Sequence, residues 1–115
     1  MQERRHYVRV TSPALIEFPS PTLGRTERSF TYDLSETGLR FPTSVELHVG
    51  DELPVTIHLP VRNLTMLAKS EVTWIREIAR LGMTHYDVGI QFREMAKTDR
   101  RKLSQHLAAL LGARV

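Results

Sequence analysis

The sequence predicts a mainly β fold: about six short antiparallel strands curled into a barrel or sandwich, followed by one C-terminal helix. Three observations carry this. Apolar and polar residues alternate in short segments, as in Leu53, Val55, Ile57 and Leu59 with polar groups between them. Turn-rich runs such as PSPTLGR separate those segments. Only the final stretch changes period, with Leu103, Leu107, Leu110 and Leu111 on one helical stripe.

Each element follows from its residues. ALIEF, residues 14–18, reads as a first strand, and RSFTYDL, residues 28–34, as a second rich in Thr and aromatics. GLRF, residues 38–41, is a short third strand ended by Pro42. ELPVTIHL, residues 52–59, is a fourth whose Pro54 suits an edge or a strand start. LTMLAKSEVTWIREI, residues 64–78, is a long fifth, and Val72, Thr73, Trp74 and Ile75 favour strand over helix there. YDVGIQF, residues 86–92, alternates again as a sixth. The helix spans 98–112, with Thr98 or Asp99 as its cap and Gly112 at its end. A lone strand tryptophan such as Trp74 is expected in the core.

The 115 residues suit one domain with one hydrophobic core. With no cysteine there is no disulfide framework and no thiolate nucleophile. No run approaches the roughly 18 consecutive apolar residues of a membrane span, and no apolar segment follows the charged MQERRHYVRV as in a signal peptide. The chain therefore reads as soluble and cytoplasmic. Its 16 basic residues comprise 13 arginines and three lysines; arginine suits bidentate contacts to phosphate and guanine and stacks on rings, as lysine does not.

Two segments carry the chemistry. RRHYVR holds Arg4, Arg5 and Arg9, and DLSETG holds Asp33, Ser35 and Gly38. A hairpin through PSPTLGR centred near Thr22 sets Arg9 roughly opposite Ser35, so the two segments meet at one end of the barrel. Cationic forks then face a carboxylate, a hydroxyl and a glycine that lets a ligand approach the backbone. That set suits an anion with hydrogen-bond donors of its own, such as a guanine nucleotide. The arginine spacing alone selects nothing, since Arg76 and Arg80 share it.

The ordered pair of motifs, with EVTWIRE and YDVGIQFRE behind it, resembles the PilZ domain family over nearly the whole chain. The resemblance implies a single domain over 1–115: a six-stranded, split antiparallel β-barrel with a C-terminal helix, and a flexible arginine-bearing segment at 1–9. It implies a receptor for the bacterial second messenger cyclic di-GMP, not an enzyme. Arg5 and Arg9 would contact guanine edges and phosphates, and Arg4 would add phosphate contact. Asp33 and Ser35 would hydrogen-bond a guanine, and Gly38 would hold the turn open. The expected partners are cyclic di-GMP and a protein that receives the signal, with a homodimer where the ligand bridges two protomers. No metal, cofactor, membrane or nucleic-acid polymer is expected.

Two other classes fit less well. A PilZ-type interaction module for pilus assembly or motility that binds no nucleotide typically has eroded motifs, and both motifs are complete here. A single-stranded nucleic-acid binder needs aromatic platforms along a basic groove; only Tyr7 lies beside the basic segment. His6 sits among the arginines without an assigned role, and His48 and His58 lack metal-ligand spacing. The stiff, β-branched Thr37 stands where relatives often carry a small residue before the final glycine.

Overall fold

The computed structural model describes residues 13–60 and 62–112. The strands are β1 (Leu15–Pro19), β2 (Thr26–Phe30), β3 (Asp33–Leu34), β4 (Gly38–Thr43), β5 (Glu52–Leu59), β6 (Leu64–Arg80) and β7 (Met83–Met95), followed by the helix α1 (Lys97–Gly112). They form one antiparallel sheet in the order β2-β1-β5-β6-β7-β4-β3. The sheet curls into a half-barrel, and the Ser29 hydroxyl on β2 donates to the Pro42 carbonyl on β4 at 2.5 Å.

The alternation places the core. Leu53, Val55, Ile57 and Leu59 all point inward, where they join Ile16, Phe18, Leu39, Phe41, Met66, Val72, Val88 and Ile90. Full burial of such a side chain contributes about 1.5–3 kcal/mol. The helix lays Leu103 and Leu107 on this core, while Leu110 and Leu111 are only half-buried. It begins at Lys97, so Asp99 lies in its first turn and does not cap it. The Asp99 carboxylate instead accepts the Leu67 N–H at 3.1 Å and pins the helix to β6.

The sheet has seven strands, not six, because the expected second strand changes neighbours midway. β2 pairs with β1, Leu15 opposite Phe30 and Pro19 opposite Thr26. The Thr31 N–H still donates to Ala14, but the Tyr32 N–H donates to Arg40 at 2.8 Å. From there Asp33 and Leu34 pair with β4 as a separate strand. The β1–β2 ladder thus hands over before it reaches the motif.

The closing hairpin is longer than its composition suggests. β6 runs to Arg80 and β7 starts at Met83, joined through Leu81 and Gly82 with φ of 54° and 76°. Two residues with positive φ match the twist of a tight hairpin, yet leucine is not a usual turn signal. The β6–β7 register also shifts between Val72 and Trp74. Plain alternation from buried Val72 would point Trp74 inward. The bulge at Thr73 turns it outward and leaves Ile75 against the core.

His106 is buried on α1, and neither ring nitrogen has a hydrogen-bond partner among the described residues. Burial, helped by the nearby Arg62 charge, lowers its pKa from the ordinary 6.5. A lowered folded pKa means the unfolded chain takes up the proton first. This contribution to stability is therefore complete above pH 6.5 and is lost as pH falls through 6.5 towards the lower folded value. Thermal melts between pH 7.5 and 5 should show a falling midpoint for the natural chain and a flatter one for His106→Leu.

Candidate functional site

The turn between β3 and β4 is built around one hydroxyl. Ser35 Oγ accepts the Thr37 and Gly38 N–H groups, each at 3.2 Å, and lies 3.2 Å from both the Gly38 carbonyl and Thr37 Oγ1. The Ser35 N–H also donates to the Gly38 carbonyl at 2.9 Å. A hydroxyl has one proton and two lone pairs, so this one is committed to the turn, and the residue is only 1% exposed. Thr37 fits: its carbonyl accepts the Phe92 N–H at 2.8 Å, tying the turn to β7. The Glu36 carbonyl accepts Arg100 Nη1 from the helix at 3.3 Å.

Gly38 is required by the sheet. A Cβ there would lie 2.1 Å from the Ile90 carbonyl oxygen, so β4 could not seat against β7 with any side chain at this position. Asp33, 5% exposed, stands opposite Arg40, whose Nε donates to its Oδ2 at 2.7 Å. That hydrogen bond raises the Arg40 pKa further.

A second carboxylate is buried beside this pair. Asp87 accepts the Tyr32 hydroxyl at 2.7 Å and Arg76 Nη2 at 2.9 Å. Burial pushes its pKa up, but the Tyr32 and Arg76 hydrogen bonds outweigh that and hold it below the ordinary 3.8. Tyr32 is correspondingly raised by its bond to Asp87.

Trp74 is not in the core. It is 38% exposed, and its indole lies across Gly89, where a Cβ would meet Nε1 at 2.2 Å. Trp74, Gly89 and the motif's Thr37 line one cavity of about 260 Å³, together with Leu39, Thr73 and Gln91. A larger groove of about 530 Å³, between β5, β6, the end of β7 and the start of α1, has none of residues 33–38 among its described lining. Composition hid the tryptophan's role, but a glycine in the middle of YDVGIQF was its signal, since strand glycines mark close approach.

Arg4, Arg5, Arg9 and His6 lie outside the described residues, as does the expected pairing of Arg9 with Ser35. The chain enters the described structure beside the motif. The Ala14 N–H donates to the Thr31 hydroxyl at 3.1 Å and its carbonyl accepts the Thr31 N–H at 2.9 Å, two residues before Asp33.

Because a backbone atom blocks the space at Gly38, Gly38→Ala should destabilise at the upper end of the about 1–3 kcal/mol typical of overpacking. At Gly89 the obstacle is a side chain that can be removed. Gly89→Ala should therefore destabilise alone and recover much of the loss in a Trp74→Ala background. Chemical denaturation of the single and double variants measures both effects.

The sequence matches the family model of the PilZ domain over residues 3–109. No curated relative matches. Among solved structures, the chain is similar to the Bacillus subtilis inhibitor of motility MotI/DgrA, with a TM-score of 0.78 and 19% identity over 96% of this chain and 53% of that one. It is similar to Escherichia coli YcgR in complex with c-di-GMP, at TM-score 0.77 and 21% identity over 97% and 48% of the two chains. The K. pneumonia MrkH–c-di-GMP complex gives 0.79 and 16% over 98% and 55%. The chain thus spans about half the length of these three neighbours. With a family match across nearly all of its residues and the same fold in these neighbours, the chain belongs to the PilZ domain family.

Proposed function

We propose that this PilZ domain is a receptor that binds cyclic di-GMP between its arginine segment and the Asp33–Gly38 turn, and relays the binding to a partner protein. The observation that carries the reading is the joining of a complete motif pair to a prebuilt turn. Residues 35–38 are locked internally and against β7, and Ala14, near the start of the described residues, is bonded to Thr31 two residues before Asp33. Arg9 lies five residues before Ala14, a reach of at most about 18 Å for extended chain, which covers the surface around Asp33. Two of the structural neighbours, YcgR and MrkH, were solved with c-di-GMP.

The roles follow from side-chain chemistry. Arg5 and Arg9 supply planar forks for guanine edges and phosphates, and Arg4 adds positive charge beside the phosphates. Asp33 accepts from a guanine N–H. Ser35 and Gly38 act through the backbone: one holds the turn closed, the other lets it seat on β7. Closure of the arginine segment over the ligand is an ordering step that creates or hides a surface for the partner.

Isothermal titration calorimetry with cyclic di-GMP, with GTP as control, tests this. Each charge-assisted hydrogen bond is worth about 1.5–3 kcal/mol, so Arg5→Ala and Arg9→Ala should each weaken binding by about tenfold or more, and the pair should abolish it. Circular dichroism should show the fold unchanged. Undiminished affinity in both single variants would overturn the clasp, and no heat with the natural chain would favour an interaction module that binds no nucleotide.

A further inference from the structure

The sheet register brings together more of a binding surface than the two motifs contain. Trp74 pairs with Gly89, Gly89 with Arg40, and Arg40 with Asp33, so these four residues form one continuous row across β6, β7, β4 and β3. Arg76 and Asp87 stand opposite each other in the next row. Residues two apart on a strand share a face, so Arg76 and Trp74 are neighbours on the outer surface, about 7 Å apart along β6. Gly89 contributes no side chain, and that vacancy is the space the Trp74 indole occupies.

Arg76 is held at one end and open at the other. Its Nη2 is fixed on buried Asp87, whose other oxygen is held by Tyr32. Its side chain is nonetheless 72% exposed, and no other described residue takes its remaining N–H groups. A guanidinium fixed by a buried carboxylate loses less freedom when it binds something else. Beside it, the indole offers a face on which a base can stack. A base lying on Trp74 would turn one edge towards Arg76.

We infer that Arg76 reads the edge of a guanine stacked on Trp74, and so sets the preference of this site for guanine over adenine. Guanine presents two acceptors on its major-groove edge, O6 and N7, which match an arginine fork. Adenine presents one acceptor and an amino donor, which opposes an N–H. Asp87 and Tyr32 are positioning residues that aim the fork. This inference rests on the cyclic di-GMP reading, but it assigns discrimination to a residue outside both motifs.

Calorimetry with cyclic di-GMP and cyclic di-AMP on the natural chain, Arg76→Ala, Arg76→Lys and Tyr32→Phe separates the possibilities. Bidentate readout is worth about 5- to 150-fold between bases. Arg76→Ala should lose cyclic di-GMP affinity in that range and leave cyclic di-AMP little changed. Arg76→Lys keeps a cation beside Asp87 but has no fork, so it should fold normally and lose the same discrimination. Tyr32→Phe, which only loosens the aim, should reduce the ratio by a smaller factor. If Arg76→Lys retains the natural ratio, or Arg76→Ala binds cyclic di-GMP as the natural chain does, the inference fails while the receptor reading stands. If the natural chain gives no heat with cyclic di-GMP, the receptor reading fails and this inference with it.

Discussion

Gly38 lies so close to β7 that a single methyl group would sit 2.1 Å from the Ile90 carbonyl oxygen. That approach lets β4 pair along β7 from Gly38 opposite Gln91 to Thr43 opposite Tyr86. It also allows the Ser35–Gly38 turn to close and the Phe92 N–H to reach Thr37. β3 exists only because β4 is there to pair with it. The placement of Asp33, Arg40 and the outer row of residues all depends on this one close contact. An internally bonded turn would cost little further ordering in the binding proposed above, which is where a prebuilt turn gains over a flexible loop.

The outer face follows a consistent electrostatic pattern. Two buried carboxylates, Asp33 and Asp87, each hold an arginine whose guanidinium stays substantially in solvent. A buried, unpaired carboxylate would be costly, and a freely rotating surface arginine would be a poor recognition element. Pairing them answers both problems: the carboxylate is stabilised, and the arginine acquires a direction. Tyr32 immediately precedes Asp33 and links the two pairs in space, its N–H on the Arg40 carbonyl and its hydroxyl on Asp87. It follows Thr31, where the chain leaves β1, and its hydroxyl reaches across to Asp87 on β7.

Much of the fold was legible from pattern. Strict alternation in ELPVTIHL gives the buried face of β5 directly, and the change to helical spacing marks α1. The first hairpin was also readable, with the observed pairing of Leu15 to Phe30 one position from that implied by a centre near Thr22. The break between β2 and β3 was not readable, because alternation runs through RSFTYDL without interruption while the hydrogen-bonding neighbour changes. The outward turn of Trp74 was not readable within β6 itself, since a bulge moves every following side chain to the opposite face; its one mark is Gly89 on the facing strand.

The same division applies to the site. Residue types and spacing nominate the arginines and Asp33, Ser35 and Gly38 as a candidate set, because those side chains carry their chemistry wherever they stand. Local chemistry also makes Ser35 and Gly38 turn formers. Which atoms the Ser35 hydroxyl serves, and that Gly38 is required by Ile90 on a strand 52 residues away in the chain, are matters of tertiary packing. So is the company of Trp74, Arg76, Asp87 and Tyr32. They are scattered across residues 32–87, and only cross-strand register, which fixes neighbours at right angles to the chain, brings them to one face beside Asp33.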